Sequence, residues 1–132
     1  MVIYNRILMI HEGGKIMEEW KVVNDPDTPP ETLDKLSNEK NWMIRSAVAK
    51  NRNTPKETLK KLAKDMDTTV RNNVAGNPHT PEDTLSELSN DKDMLVRISV
   101  SKNPKTNIET IRKLVEDKSY TVRKNATESG RV

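Results

Sequence analysis

Arg45, Arg71, Arg97 and Arg123 stand 26 residues apart, and the same step separates Leu36, Leu62, Leu88 and Leu114. It recurs at Leu33, Leu59, Leu85 and Ile111, and again at Thr28, Thr54, Thr80 and Thr106. A fixed period in the range of roughly 20–50 residues marks a solenoid, in which each unit packs only on its neighbours. A single unit cannot bury its own apolar face, so the fold must be a stack. Function in such a stack rests on surface residues, which the period does not specify.

Composition fits a thin, shared core. Hydrophobic and charged residues each make up 33% of the 132 residues, and phenylalanine is absent. Without the repeat that balance would lean toward disorder. With it, the few Leu, Val, Ile and Ala residues recur at helical spacing and can be pooled between layers. The length suits one domain. The expected division is a non-repeat N-terminal arm, 1–15, and one helical-repeat domain, 16–132, with repeats at about 25–50, 51–76, 77–102 and 103–128.

The clearest unit runs from Asn51 to Gly76. Thr54-Pro55-Lys56-Glu57 reads as a helix start: a capping hydroxyl, a proline at the first position and a glutamate to complete a capping box. Each such cap is worth about 1 kcal/mol. Thr28-Pro29-Pro30-Glu31 and Thr80-Pro81-Glu82-Asp83 repeat the pattern, and Thr106-Asn107-Ile108-Glu109 loses only the proline. Leu59, Leu62 and Ala63 then form one apolar face of helix A, about three turns long, with Lys56, Lys60, Lys61 and Lys64 toward water. Helix B starts at Asn41, Asp67, Asp93 and Ser119, all favoured caps. It carries apolar pairs four apart, such as Val70 with Val74, and ends where Gly76-Asn77 and equivalents can take a left-handed turn. Trp20, Val22 and Val23 place Glu18–Asn24 as an N-terminal cap helix, with Glu19 at the arginine register. His11-Glu12-Gly13-Gly14 reads as a break in structure, and Ser129–Val132 as a fraying end.

No cysteine is present, which excludes disulfides, thiolate metal sites and cysteine nucleophiles. Residues 1–10 are apolar but interrupted by Asn5 and Arg6, too short for a membrane span and without a cleavage site. The expected compartment is the cytoplasm, with no membrane association. His11 and His79 share no metal-like spacing, and no nucleophilic triad, phosphate loop or paired-carboxylate motif is found. The reading is not an enzyme, with no cofactor and no metal.

Asn77-Pro78-His79-Thr80-Pro81, followed by Leu85, Leu88, Asp91, Val96-Arg97 and Val100, resembles the leucine-rich repeat variant and the broader HEAT-like class. The resemblance covers roughly residues 24–128 in four successive copies. It implies an all-α fold: a right-handed α-α superhelix of four 26-residue two-helix repeats, with an N-terminal half-repeat cap. It also implies a short second helix in each pair, partly 3₁₀. Founding members of the variant family carry a cysteine-bound iron–sulfur cluster, which this cysteine-free chain cannot hold.

The arginine ladder can be read as a row of anion clamps or as structure. Glu39, Asp65, Asp91 and Asp117 each lie six residues before an arginine, at the end of helix A, where the helix dipole disfavours an acid. Arginine supplies a fork for one carboxylate and a nearby carbonyl, so the structural reading prevails, with Asp65 the expected partner of Arg71. HEAT-like units use such pairs to lock adjacent repeats. Asn51, Asn77 and Asn103 read as turn and cap residues. The B helices (42–50, 68–76, 94–102 and 120–127) contain no acid. With the arginines neutralised, Lys50, Lys102 and Lys124 leave a mildly basic groove. The expected function is a non-enzymatic scaffold binding a protein partner on the concave face of the B helices, through Ser46, Lys50, Asn72, Ile98, Lys102 and Lys124. Weak, non-specific nucleic-acid binding in the same groove is the alternative. A HEAT-like glycosylase or lyase activity is disfavoured by the acid-free groove helices.

Overall fold

The computed structural model describes residues 12–132, with side chains described from residue 17 onward. The arm expected at 1–15 therefore falls largely outside the described residues. Those described form nine α-helices, alternating long and short after the first: α1 Glu12–Val23, α2 Pro30–Leu36, α3 Trp42–Lys50, α4 Lys56–Leu62, α5 Thr68–Gly76, α6 Glu82–Leu88, α7 Met94–Lys102, α8 Ile108–Leu114 and α9 Tyr120–Glu128. The fold is all-α, with α3, α5, α7 and α9 packed on one another in chain order and α1 continuing that row. Each short helix packs on the long helices beside it.

The core is the predicted one. Leu33, Leu59, Leu85 and Ile111 on the short helices are fully buried, as are Val48, Val70, Val74, Val96, Val100 and Val122 on the long ones. Burying each contributes about 1.5–3 kcal/mol.

Several local expectations are corrected. The helix α1 runs through Gly13 and Gly14, where a break was expected. The short helices have seven residues, about two turns, and start one position later than read, with Pro29, Pro55 and Pro81 at the N-cap and no side-chain cap bond. Where proline is lost, Asn107 caps α8 by accepting from Thr110 N. The shorter partner is thus the first helix of each pair. It ends in i→i+3 turns, such as Lys64 N to Lys61 O and Asp65 N to Leu62 O, the tightening that satisfies terminal carbonyls.

The threonines do other work than capping. The hydroxyls of Thr28, Thr54, Thr80 and Thr106 donate backward to the carbonyls of Val22, Val48, Val74 and Val100, at 2.5–2.6 Å. Each buried hydroxyl thus adds a second bond to a last-turn carbonyl that already accepts the main-chain N–H of Asp25, Asn51, Asn77 or Asn103. The long helices keep three of their four predicted caps: Asn41, Asp67 and Asp93 accept from their own first-turn N–H groups, whereas Ser119 makes no cap bond. They do not end in left-handed residues. Asn51, Asn77 and Asn103 are extended, and among the described residues only Gly130 has positive φ.

Candidate interaction surface

Two polar ladders hold the row of long helices in register and decide which side chains remain for a partner. In the first, Arg45 Nε donates to Asp65 Oδ2 at 2.7 Å, Arg71 to Asp91 at 2.8 Å and Arg97 to Asp117 at 2.9 Å. Each Nη2 closes a second bond to the same carboxylate. Nη1 of each arginine donates instead to the carbonyl six residues earlier: Glu39, Asp65 and Asp91. The expected partner is corrected here: the acid six residues before an arginine offers its main chain, and the carboxylate comes from 20 residues ahead. Only that arrangement lets one planar fork span two short-helix ends at once. Arg123 keeps the bond to Asp117 O and lies 5.8 Å over the Tyr120 ring.

These pairs are nearly dry, with 8% exposure on both sides of Arg71–Asp91. Burial pushes the Asp65 carboxyl up, but the Arg45 hydrogen bond, the Asp67 N–H and the charges of Arg45 and Arg71 outweigh it and hold it below its ordinary range. Asp117 is depressed likewise: burial is outweighed by Arg97, the Ser119 N–H and the Lys118 charge. The hydrogen bond to Asp65, reinforced by the Asp65 and Asp67 charges, raises Arg45 against the cost of burial.

The second ladder is asparagine. Asn51 Nδ2 donates to Val23 O and Asp25 O, Asn77 to Ala49 O and Asn51 O, and Asn103 to Ala75 O and Asn77 O, all within 3.0 Å. Each Oδ1 accepts from the N–H two residues on. At the chain's end, where fraying was expected, Arg131 donates to Asn103 O and Thr106 O and closes the ladder.

With both ladders internally satisfied, the surface beside the long helices is set by what remains. Of the predicted contact residues, Lys50, Lys102 and Lys124 are exposed. Asn72 is half-buried and accepts from Ser99 Oγ at 2.5 Å. Two are corrected. Ser46 is buried, its hydroxyl bonded to Met43 O and its carbonyl to Asn73. Ile98, read as exposed, is partly buried against the core, because the neighbouring long helix covers its face.

Three shallow cavities follow the C-terminal ends of the long helices. The first, about 220 Å³, is lined by Val23, Pro26 and Ala47 together with Lys50 and Arg52. The next, about 190 Å³, is lined by Lys50, Asn72, Asn73, Gly76 and Ser99. The third, about 400 Å³, takes in Ser101, Lys102, Asn125, Glu128 and Arg131. Arg52 and Arg131 escaped sequence reasoning because their registers hold Pro78 and Pro104, or Asn53, His79 and Lys105, so no period flags them. Glu128 corrects the acid-free reading, since α9 extends one residue further than predicted. His79 is exposed, and among the described residues no group of three or more His, Asp or Glu could hold a metal.

The sequence pattern of the leucine rich repeat variant family matches residues 68–93. A solved structure of a leucine-rich repeat variant with a novel repetitive protein structural motif superposes with a TM-score of 0.70 at 28% identity, over 87% of this chain. This chain spans 45% of that one, rather less than half its length. No curated protein matches. No helix among the described residues is long and apolar enough to cross a membrane.

Proposed function

We propose that this chain, an all-α repeat protein with the leucine-rich repeat variant fold, is a non-enzymatic scaffold that binds a protein partner. In this reading four 26-residue repeats, within a domain spanning 16–132, wind as a right-handed superhelix capped by α1. The long helices pack directly on one another while the short helices meet mainly through side chains. Closer spacing on one side of a stack bends it toward that side, which supports a concave face lined by the long helices. The observation that carries the reading is that the arginines are consumed. Arg45, Arg71 and Arg97 are bound to aspartates, so the row suited to gripping phosphates is unavailable to a ligand. What remains beside the groove is a mixture of amides, hydroxyls and a few cations, a surface that fits a polypeptide better than a polyanion. The cytoplasm is the compartment we propose.

Nucleic acid provides the test. Lys50, Arg52, Lys102 and Lys124 can neutralise about four phosphates, giving a slope of roughly −3 to −4 in log affinity against log salt. Fluorescence anisotropy with a labelled duplex should therefore show weak binding that is nearly lost at physiological ionic strength. Submicromolar affinity there, abolished by replacing those cations together, would overturn the protein-partner reading. Capture from the source cell should correspondingly survive nuclease.

A further inference from the structure

Resting on that reading, we infer that the partner segment is an extended acidic peptide lying across the C-terminal ends of the long helices, its carboxylates on Lys50 with Arg52 and on Lys102. Three observations point to it. First, the three cavities follow successive long-helix ends, and the first two share Lys50 as a common wall. Second, among the described residues Lys50, Arg52 and Lys102 have no carboxylate within ion-pair distance, whereas Lys60, Lys61, Arg45, Arg71 and Arg97 do. The full charges of Lys50 and Lys102 outweigh the partial negative charge of the helix ends they stand on. Third, the lining between the cationic ends is Asn72, Asn73 and Ser99. With Ser99 Oγ bonded to Asn72 Oδ1 and Asn73 Nδ2 to Ser46 O, Asn72 Nδ2 is left to donate to a peptide main chain and Asn73 Oδ1 to accept from it. A polyphosphate gains affinity with each cation it meets, and here the register of Lys50 and Lys102 is interrupted by Gly76.

Geometry sets the peptide's pattern. Lys50 and Lys102 end long helices two places apart, about 16–20 Å at the usual 8–10 Å helix spacing. An extended chain advances about 3.3 Å per residue, so acids about five or six residues apart reach both. Between them the register holds Gly76, which is exposed, and a Cβ added there meets nothing within 4 Å. A lysine therefore fits at that position and would fill the gap.

The probe is a fluorescein-labelled peptide with two Asp-Glu pairs separated by five Gly/Ser residues, titrated by anisotropy at moderate salt. Controls are the same peptide with Lys pairs or with neutral Gln pairs. Expected are binding of the acidic peptide alone, weakening of at least about tenfold in Lys50→Glu/Lys102→Glu, and tightening of about two- to fivefold in Gly76→Lys, the range of one exposed ion pair. Both variants alter exposed positions, and their circular dichroism melts show whether the fold is kept. No binding by the wild type, equal binding of the neutral peptide, or indifference to both variants would overturn the inference. Capture from lysate separates the two claims. If the acidic peptide fails but the double variant still loses its nuclease-resistant partner, the acidic class is refuted and the groove reading stands. If capture is also unchanged, both fall.

Discussion

At the residue scale, the ladder arginine acts as a rivet between units. Arg71 joins the main chain that closes α4 to the carboxylate that closes α6. Removing one partner leaves a buried charge without its counter-charge, which costs about 3–5 kcal/mol. Arg71→Ala and Asp91→Ala should each destabilise strongly, with the double variant milder than their sum by about 0.5–3 kcal/mol. Arg71 with Asp65 should couple less, because the Asp65 carboxylate bonds to Arg45. Denaturant midpoints from the two cycles check the assignment. The depressed Asp65 and Asp117 carboxyls give a pH signature. A carboxyl whose folded pKa lies below its unfolded value contributes stability that is complete above the unfolded value of about 3.9. That stability drains away as pH falls through the lower folded value. Stability measured from pH 6 to pH 2 should therefore drop below about pH 4, and the drop should shrink in Asp65→Asn.

At the scale of the element, the short helices are too brief to be stable alone, since isolated helices below about 12–15 residues are marginal in water. Their seven residues are held by one buried leucine face. Leu62→Ala and Leu88→Ala should each cost about 2–5 kcal/mol. Lys61, on the exposed side of the same helix, reaches only exposed Asn38 and Asp34, and its replacement by alanine should stay within about 0.5 kcal/mol. Urea unfolding of the three variants decides between the faces. The long helices depend on their ends. Where threonine was expected to start the following helix, it braces the end of the preceding one, its hydroxyl taking the second lone pair of a last-turn carbonyl.

At the scale of the molecule, the arginine–aspartate bonds and the asparagine Nδ2 bonds run between units, so the stability of one unit depends on the units beside it. The interior helices α3, α5 and α7 have partners on both sides, α5 and α7 being the two of them farther along the row from α1, whereas α1 and α9 each have one long-helix neighbour among the described residues. Hydrogen exchange followed by mass spectrometry should find the slowest amides in α5 and α7 and the fastest in α1 and α9. Uniform protection along the chain would instead mean that the stack unfolds as a single unit.

What the sequence by itself determined is whatever recurs. The period placed Leu59, Leu85, Val70 and Val96 in the core and put Asn41, Asp67 and Asp93 at helix starts, because burial and capping are local demands met identically in each unit. The arginines could be recognised as structural for the same reason. Only the tertiary structure decided which acid each arginine holds, since spacing favoured Asp65, six residues before Arg71, and only stacking brings Asp91, 20 residues ahead, within reach. It also decided what the surface offers. Ser46 and Ile98 share a register with Lys124, yet the first is buried and the second packs on the core, because exposure depends on the helix lying alongside. Arg52 entered the cavity beside Lys50 for the complementary reason. It belongs to no series, and its position follows from where the chain leaves α3.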